Sequence, residues 1–116
     1  MAKDYRSLIK EISSYSAEIR KLQPEAMQNF HTLAKAAGAD GVLDKKTKEL
    51  IALAIGITQR CDGCIGFHAK ALHELGATRQ EIAETAVMSV YMGGGPALMY
   101  AADALRAYDQ FAAPAP

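Results

Sequence analysis

Cys61 and Cys64 are the chain's two cysteines, and they stand three residues apart in "RCDGCIGFHAK", Arg60 to Lys70, with His68 four residues after the second. The pattern admits a redox pair, a metal site or an accident of packing. On a helix of about 100° per residue, Cys64, His68, Ala71, Leu72 and Leu75 share a face, and Cys61 joins them if the helix has already begun. The three side chains are expected to cluster on the buried side. A helix's first turn offers unpaired N–H groups and the positive end of the dipole. Both favour thiolate over thiol, and a C-x-x-C partner helps further. The i, i+3 spacing brings the sulfurs within disulfide range, and His68, one turn on, can take or return a proton. For zinc, Cys61, Cys64 and His68 could supply three ligands and His73 a fourth. His73 lies about 140° from His68 on the wheel, so a carboxylate would have to complete that set. Haem attachment fits less well, because no histidine directly follows the second cysteine.

These residues need elements to hold them. Tyr5, Leu8, Ile9, Ile12, Tyr15, Ile19 and Leu22 recur at helical spacing and predict an amphipathic first helix. Pro24 can open a second helix at its first turn. Met27, Phe30, Leu33, Ala34 and Ala37 line one face of it, and Gly38 can stop it. Gly41 marks a turn, and Asp44 is placed to cap a third helix from about Lys45 to Arg60. Its segment "LIALAIGIT" is apolar all round and is expected in the middle of the protein. Gly56 inside it costs about 1 kcal/mol against alanine, which points to a close helix contact. A fourth helix starts around the cysteines and stops at Gly76. Thr78 and Glu81 form a capping-box signature for a fifth helix, with Ile82, Ala86, Val87 and Val90 as its buried stripe. After Gly93–Gly95, Pro96 can begin a sixth, with Leu98, Ala101, Ala102, Leu105 and Tyr108 along one side. No segment alternates with period two. The expected fold is all-α, a compact bundle of five to six helices with short loops. Residues 1–23 form an N-terminal helix packed on the domain, 24–111 the domain itself, and 112–116 a frayed, disordered tail.

The totals narrow the function. A chain of 116 residues suits one domain and buries roughly two-thirds of its unfolded surface, so a core forms without staples. Thirteen basic residues balance thirteen acidic ones, giving no electrostatic reason to seek nucleic acid or anionic lipid. "MAKDYRSLIKE" lacks the apolar run of a signal peptide. The uncharged stretch Thr85 to Ala102 is long enough to suggest a membrane span. Three glycines and a proline in its middle instead predict two buried helix segments meeting at a turn. The expected location is cytoplasmic, where C-x-x-C means redox or metal chemistry more often than a structural staple.

Glu49 shares a face of the third helix with Ala52, Leu53 and Gly56. Partial desolvation there would raise its pKa towards the range useful for proton relay. The other reading is a solvated glutamate near Lys45 and Lys46, and composition alone favours it.

Taken together, Glu49, Cys61, Cys64, His68 and the downstream "MGGGPALMYAADAL" resemble the AhpD-like alkylhydroperoxidase branch of the carboxymuconolactone decarboxylase family, over roughly Pro24 to Phe111. The resemblance implies an all-helical subunit that assembles as a homo-oligomer, a trimer or hexamer. It implies a peroxidase working through a dithiol/disulfide cycle, with no cofactor and no metal. Cys64 would attack the hydroperoxide substrate and become a sulfenic acid. Cys61 would resolve it to a disulfide. His68 would take the Cys64 proton, and Glu49 would support His68. The reductant would be a thiol or dithiol, such as a lipoyl-bearing protein, with a peroxiredoxin as a further partner. The chain departs from the pattern at Gly63, where well-studied members carry a histidine, so the relay to the resolving thiol is missing or supplied otherwise. Asp62 is a candidate for it, and a better one for the N-cap of the fourth helix.

Two other functions stay open on the sequence. A lactone decarboxylase needs an acid or base but no dithiol. A non-enzymatic helical module could sense oxidants by toggling one disulfide. The remaining residues suggest less. Gly93–Gly95 lack phosphate-loop spacing. His31 and His73 read as surface residues, and Tyr91, Met92, Met99 and Tyr100 could line a substrate channel or a subunit interface but read as core by default.

Overall fold

The computed structural model describes residues 2–115, which form five helices joined by short loops. They are α1 (Tyr5–Leu22), α2 (Pro24–Gly38), α3 (Lys45–Thr58), α4 (Asp62–Glu74) and α5 (Arg79–Ala112). The starts follow from local chemistry. Asp4 and Asp44 accept the N–H groups of Ser7 and Thr47 and cap α1 and α3. Pro24 opens α2. Thr78 and Glu81 complete the reciprocal capping box of α5. The stop at Gly76 is a left-handed residue (φ 80°) that lets Ala77 and Gly76 donate back to the Leu72 and His73 carbonyls.

The expected fifth and sixth helices are two arms of α5. The turn between them is a single residue, Gly94, at φ 72° and ψ −155°, a conformation only glycine adopts cheaply. Helix α5 runs through Ala112, the first residue of the expected tail. Pro116 lies outside the described residues.

Leu53 and Ile57 of α3, Ile65, Ala69 and Leu72 of α4, and Ile82 and Ala104 of α5 are buried in one core with Tyr5 and Ile9 of α1. The second arm of α5 presents Ala97, Ala101, Ala104 and Ala107 inward, and these small side chains let neighbouring helices approach. Tyr108 donates from its hydroxyl to the Ala77 carbonyl at 2.7 Å and pins that arm to the α4–α5 loop. Ser89 donates to the Ala54 carbonyl at 3.1 Å and ties the first arm to α3.

Several apolar faces point outward, against expectation. Val87 and Leu98 are exposed and not in the α5 stripe, as are Ala102, Tyr91, Met92 and Met99. The α3 run is not enclosed all round either, since Ile51 and Ile55 are about half exposed (45% and 50%). Helix α2 buries none of its residues. Periodicity identifies an apolar face but does not say whether the subunit's own core covers it. No helix among the described residues is long and apolar enough to cross a membrane.

Candidate active site

The connection from α3 to α4 is three residues long, Gln59 to Cys61, and its backbone places the first cysteine. Arg60 adopts the left-handed conformation at φ 58°. Its N–H donates to the Ile57 carbonyl at 3.1 Å, and the Cys61 N–H donates to the Gly56 carbonyl at 3.0 Å. These two bonds are the Schellman pattern, with arginine standing where glycine is usual. The left-handed backbone at Arg60 leaves the helical path, and α3 ends at Thr58, two residues short of the expected Arg60. Cys61 is then at once the residue after the α3 stop and the N-cap of α4.

That position corrects the expectation for Asp62. The N-cap is Cys61, whose Sγ accepts the Cys64 backbone N–H at 3.1 Å. Asp62 is the first residue inside the helix, and its Oδ1 accepts from Lys3 Nζ at 2.8 Å and from the Tyr5 hydroxyl at 3.0 Å. Cys61 and Cys64 are joined in a disulfide, with Cα atoms 5.2 Å apart.

Cys61, Cys64 and His68 lie on a half-buried flank of α4 and not in its core stripe, which is Ile65, Gly66, Ala69 and Leu72. The wheel was right about the shared face but placed it one residue off the core. This flank faces α3. A Cβ built on Gly56 would lie 2.9 Å from the Cys64 Cβ, so the glycine gives the backbone of α3 room beside the cysteine. Gly56→Ala gains about 1 kcal/mol of helix propensity and loses about 1–3 kcal/mol to overpacking. A lowered denaturation midpoint is expected, lower still for Gly56→Val. An alanine variant more stable than the parent would show that the contact yields freely.

The close approach of α3 brings Glu49 to His68. Glu49 Oε2 lies 2.6 Å from His68 Nδ1, with side-chain exposures of 18% for the glutamate and 34% for the histidine. The pair is sheltered yet reachable, and the short contact is the length of a charge-assisted bond. A carboxylate in this position holds the imidazole proton on Nδ1 and leaves Nε2 as the acceptor. The solvated reading of Glu49 therefore does not hold. Among the described residues no three His, Cys, Asp or Glu side chains converge as a metal site. His73, which the wheel sets apart from His68, packs edge-on against the Tyr108 ring at 5.7 Å.

A Cβ on Gly63 would meet Ile12 Cδ1 of α1 at 2.9 Å. Helix α1 lies over the place where a histidine would stand, so a side chain there requires Ile12 to move. An open trough of about 510 Å³ runs along the same side of α4, lined by Arg6, Ile9, Lys10, Phe67, Lys70 and Phe111 among others. None of the four candidate residues lines it, and the site is marked by its chemistry rather than by a hollow.

The model of the carboxymuconolactone decarboxylase family matches residues 24–107. This chain belongs to that family. A solved structure of a carboxymuconolactone decarboxylase family protein from Legionella pneumophila is 53% identical, with a TM-score of 0.92 over 94% of this chain and 97% of that one. A Thermotoga maritima member, described with a possible involvement in the antioxidative response, is 27% identical, with a TM-score of 0.80 over 90% of this chain and 89% of that one. An uncharacterized protein of Cupriavidus necator is 38% identical over 94% of this chain and 96% of its own length. The match to the family begins at Pro24, so α1, which covers Gly63 and brings Tyr5 to Asp62, precedes the matched region.

Proposed function

We propose that this carboxymuconolactone decarboxylase family member is a thiol-dependent peroxidase of the AhpD-like type. The observation that carries the proposal is the Glu49–His68 contact of 2.6 Å one helical turn from a disulfide-bonded cysteine pair. A lactone decarboxylase has use for an acid or base but none for the dithiol.

Each step balances. His68 Nε2 takes the Cys64 proton, and Glu49 stabilises the imidazolium. The thiolate attacks one oxygen of the hydroperoxide, the O–O bond breaks, and the alkoxide leaves with a proton as the alcohol. Cys64 is now a sulfenic acid. The Cys61 sulfur attacks Cys64, expels water and closes the disulfide. Two thiols and one hydroperoxide become one disulfide, one alcohol and one water.

The second relay needs no histidine at position 63. Cys61 Sγ already accepts a helix N–H at the N-cap, and a thiolate there is stabilised by that bond and by the dipole. A dithiol reductant then restores the pair, and the dihydrolipoyl group of a carrier protein has the right chemistry; a peroxiredoxin whose disulfide the reduced pair reduces in turn is the further partner. A cytoplasmic location fits a disulfide that must be returned to thiols. Assembly into a trimer or hexamer would cover the outward apolar faces of α2, α3 and α5.

The test is the intact mass of the reduced protein before and after one equivalent of an organic hydroperoxide. Loss of two hydrogens is expected, and in neither single-cysteine variant. An unchanged mass with both thiols free would overturn the proposal.

A further inference from the structure

The carboxylate of Asp62 is an unexpected neighbour for a thiolate. It follows Cys61 directly and precedes Cys64 by two residues, so it shares the first turn of α4 with the pair. A bare negative charge there opposes ionisation of either thiol. The structure gives that charge a specific counterweight. Lys3 Nζ bridges Asp62 Oδ1 at 2.8 Å and Asp103 Oδ2 of α5 at 2.7 Å. The Tyr5 hydroxyl donates to Asp62 at 3.0 Å from a ring that is wholly buried. Arg106 stands 3.7 Å from Asp103, so two cations face two carboxylates and the cluster is nominally neutral. Lys3 Nζ also lies 4.9 Å from the centre of the Tyr100 ring.

We propose that Lys3 is a positioning residue for the cysteine pair, which neutralises Asp62 and thereby sets how readily the thiols ionise. This rests on the proposed redox role of Cys61 and Cys64. Lys3 comes from the segment before α1, ahead of the family match, and that segment is anchored. The Tyr5 N–H donates to Gln110 Oε1 at 2.8 Å, and Gln110 Nε2 donates back to the Lys3 carbonyl at 2.7 Å. The cation is therefore held over the first turn of α4 and not left on a free end. Its ammonium stays charged through neutral pH: partial burial works against the charge, but the bonds to Asp103 and Asp62 more than offset it and raise the pKa. Burial first, then the field of Asp103, pushes the Tyr5 phenol well above its ordinary value, so it remains a donor. The opposite flank of the pair carries Glu49 and His68, whose 2.6 Å contact the exchange at position 3 leaves in place.

The test is a pH titration of thiolate absorbance on the reduced full chain, read as the first midpoint of the coupled pair. Lys3→Met exposes the Asp62 charge and is expected to raise the midpoint by about half a pH unit, the order expected for one unpaired unit charge near the pair at a dielectric between protein and water. Asp62→Asn keeps an acceptor for Tyr5, removes the charge and is expected to lower the midpoint by about as much. The double variant should return close to the parent, and Lys3→Arg should match the parent. A merely structural strap would move both single variants the same way, and that result would overturn the proposal, as would midpoints that do not move. Circular dichroism on each variant confirms that a folded protein is being titrated. The titration uses no peroxide, so the order of the midpoints stands whether or not the disulfide forms with hydroperoxide.

Discussion

Cys64→Ser is expected to abolish turnover with hydroperoxide, and Cys61→Ser to leave one oxidation and no cycle. A serine hydroxyl at position 64 does not ionise near neutral pH, so loss of the nucleophile removes the first step outright. In the Cys61 variant the first step survives. Cys64 should gain one oxygen, and a sulfenic acid reagent should trap it. Steady-state turnover should fall to what an external thiol can resolve. The two cysteines compete for the nucleophilic role on physical grounds. Cys61 at the N-cap accepts the Cys64 N–H at 3.1 Å and sits nearer the dipole's end. Cys64 has the base: His68 is one turn further along α4, at the spacing that brings side chains to about 5–6 Å. Activation by a base delivers thiolate at the moment of attack, whereas the N-cap bond only biases an equilibrium. Mass spectrometry on the two variants separates these cases. An oxygen gained by the Cys64 variant and none by the Cys61 variant would reverse the roles.

Parts of this arrangement were legible in the sequence because they answer local backbone needs. Asp44, Pro24, Thr78 with Glu81, and Gly76 each satisfy or terminate a helix end, and each stands where the spacing places it. The i, i+3, i+4 pattern of Cys61, Cys64 and His68 was readable for the same reason. The close contact at Gly56 was also legible, as a glycine kept in a helix interior against its propensity.

The misreadings arose where distant segments decide. Asp62 has the composition of an N-cap, yet the left-handed Arg60 shifts the cap to Cys61 and frees the carboxylate for Lys3, 59 residues away in sequence. Nothing local to "RCDGC" encodes that partner. The face of α4 was misplaced by one residue because a 100° wheel carries no information about which neighbour packs where. Val87, Leu98, Tyr91 and Met92 were assigned to the interior on hydrophobicity, but the single-residue turn at Gly94 and the alanine row of α5 settle which side meets α3 and α4.

The relay itself gives the second large effect. His68→Gln is expected to slow reaction with hydroperoxide by about 10²-fold or more at neutral pH, the range for loss of a general base. Glu49→Gln is expected to slow it by about tenfold or more. Glutamine at position 49 keeps the shape but removes the charge that steadies an imidazolium, and its amide can offer a donor to Nδ1, forcing the wrong tautomer. Both losses should shrink as pH rises, because thiolate then forms without a base. Single-turnover rates across pH read this directly, since the reductant is absent. The double variant decides the chemistry. If Glu49 acts through His68 across their 2.6 Å contact, removing it from a protein that already lacks the imidazole costs little more. The double variant should then match His68→Gln alone. Losses that multiply would mean that Glu49 meets the peroxide or the sulfur independently of His68, and the relay from carboxylate to imidazole to thiol would have to be abandoned.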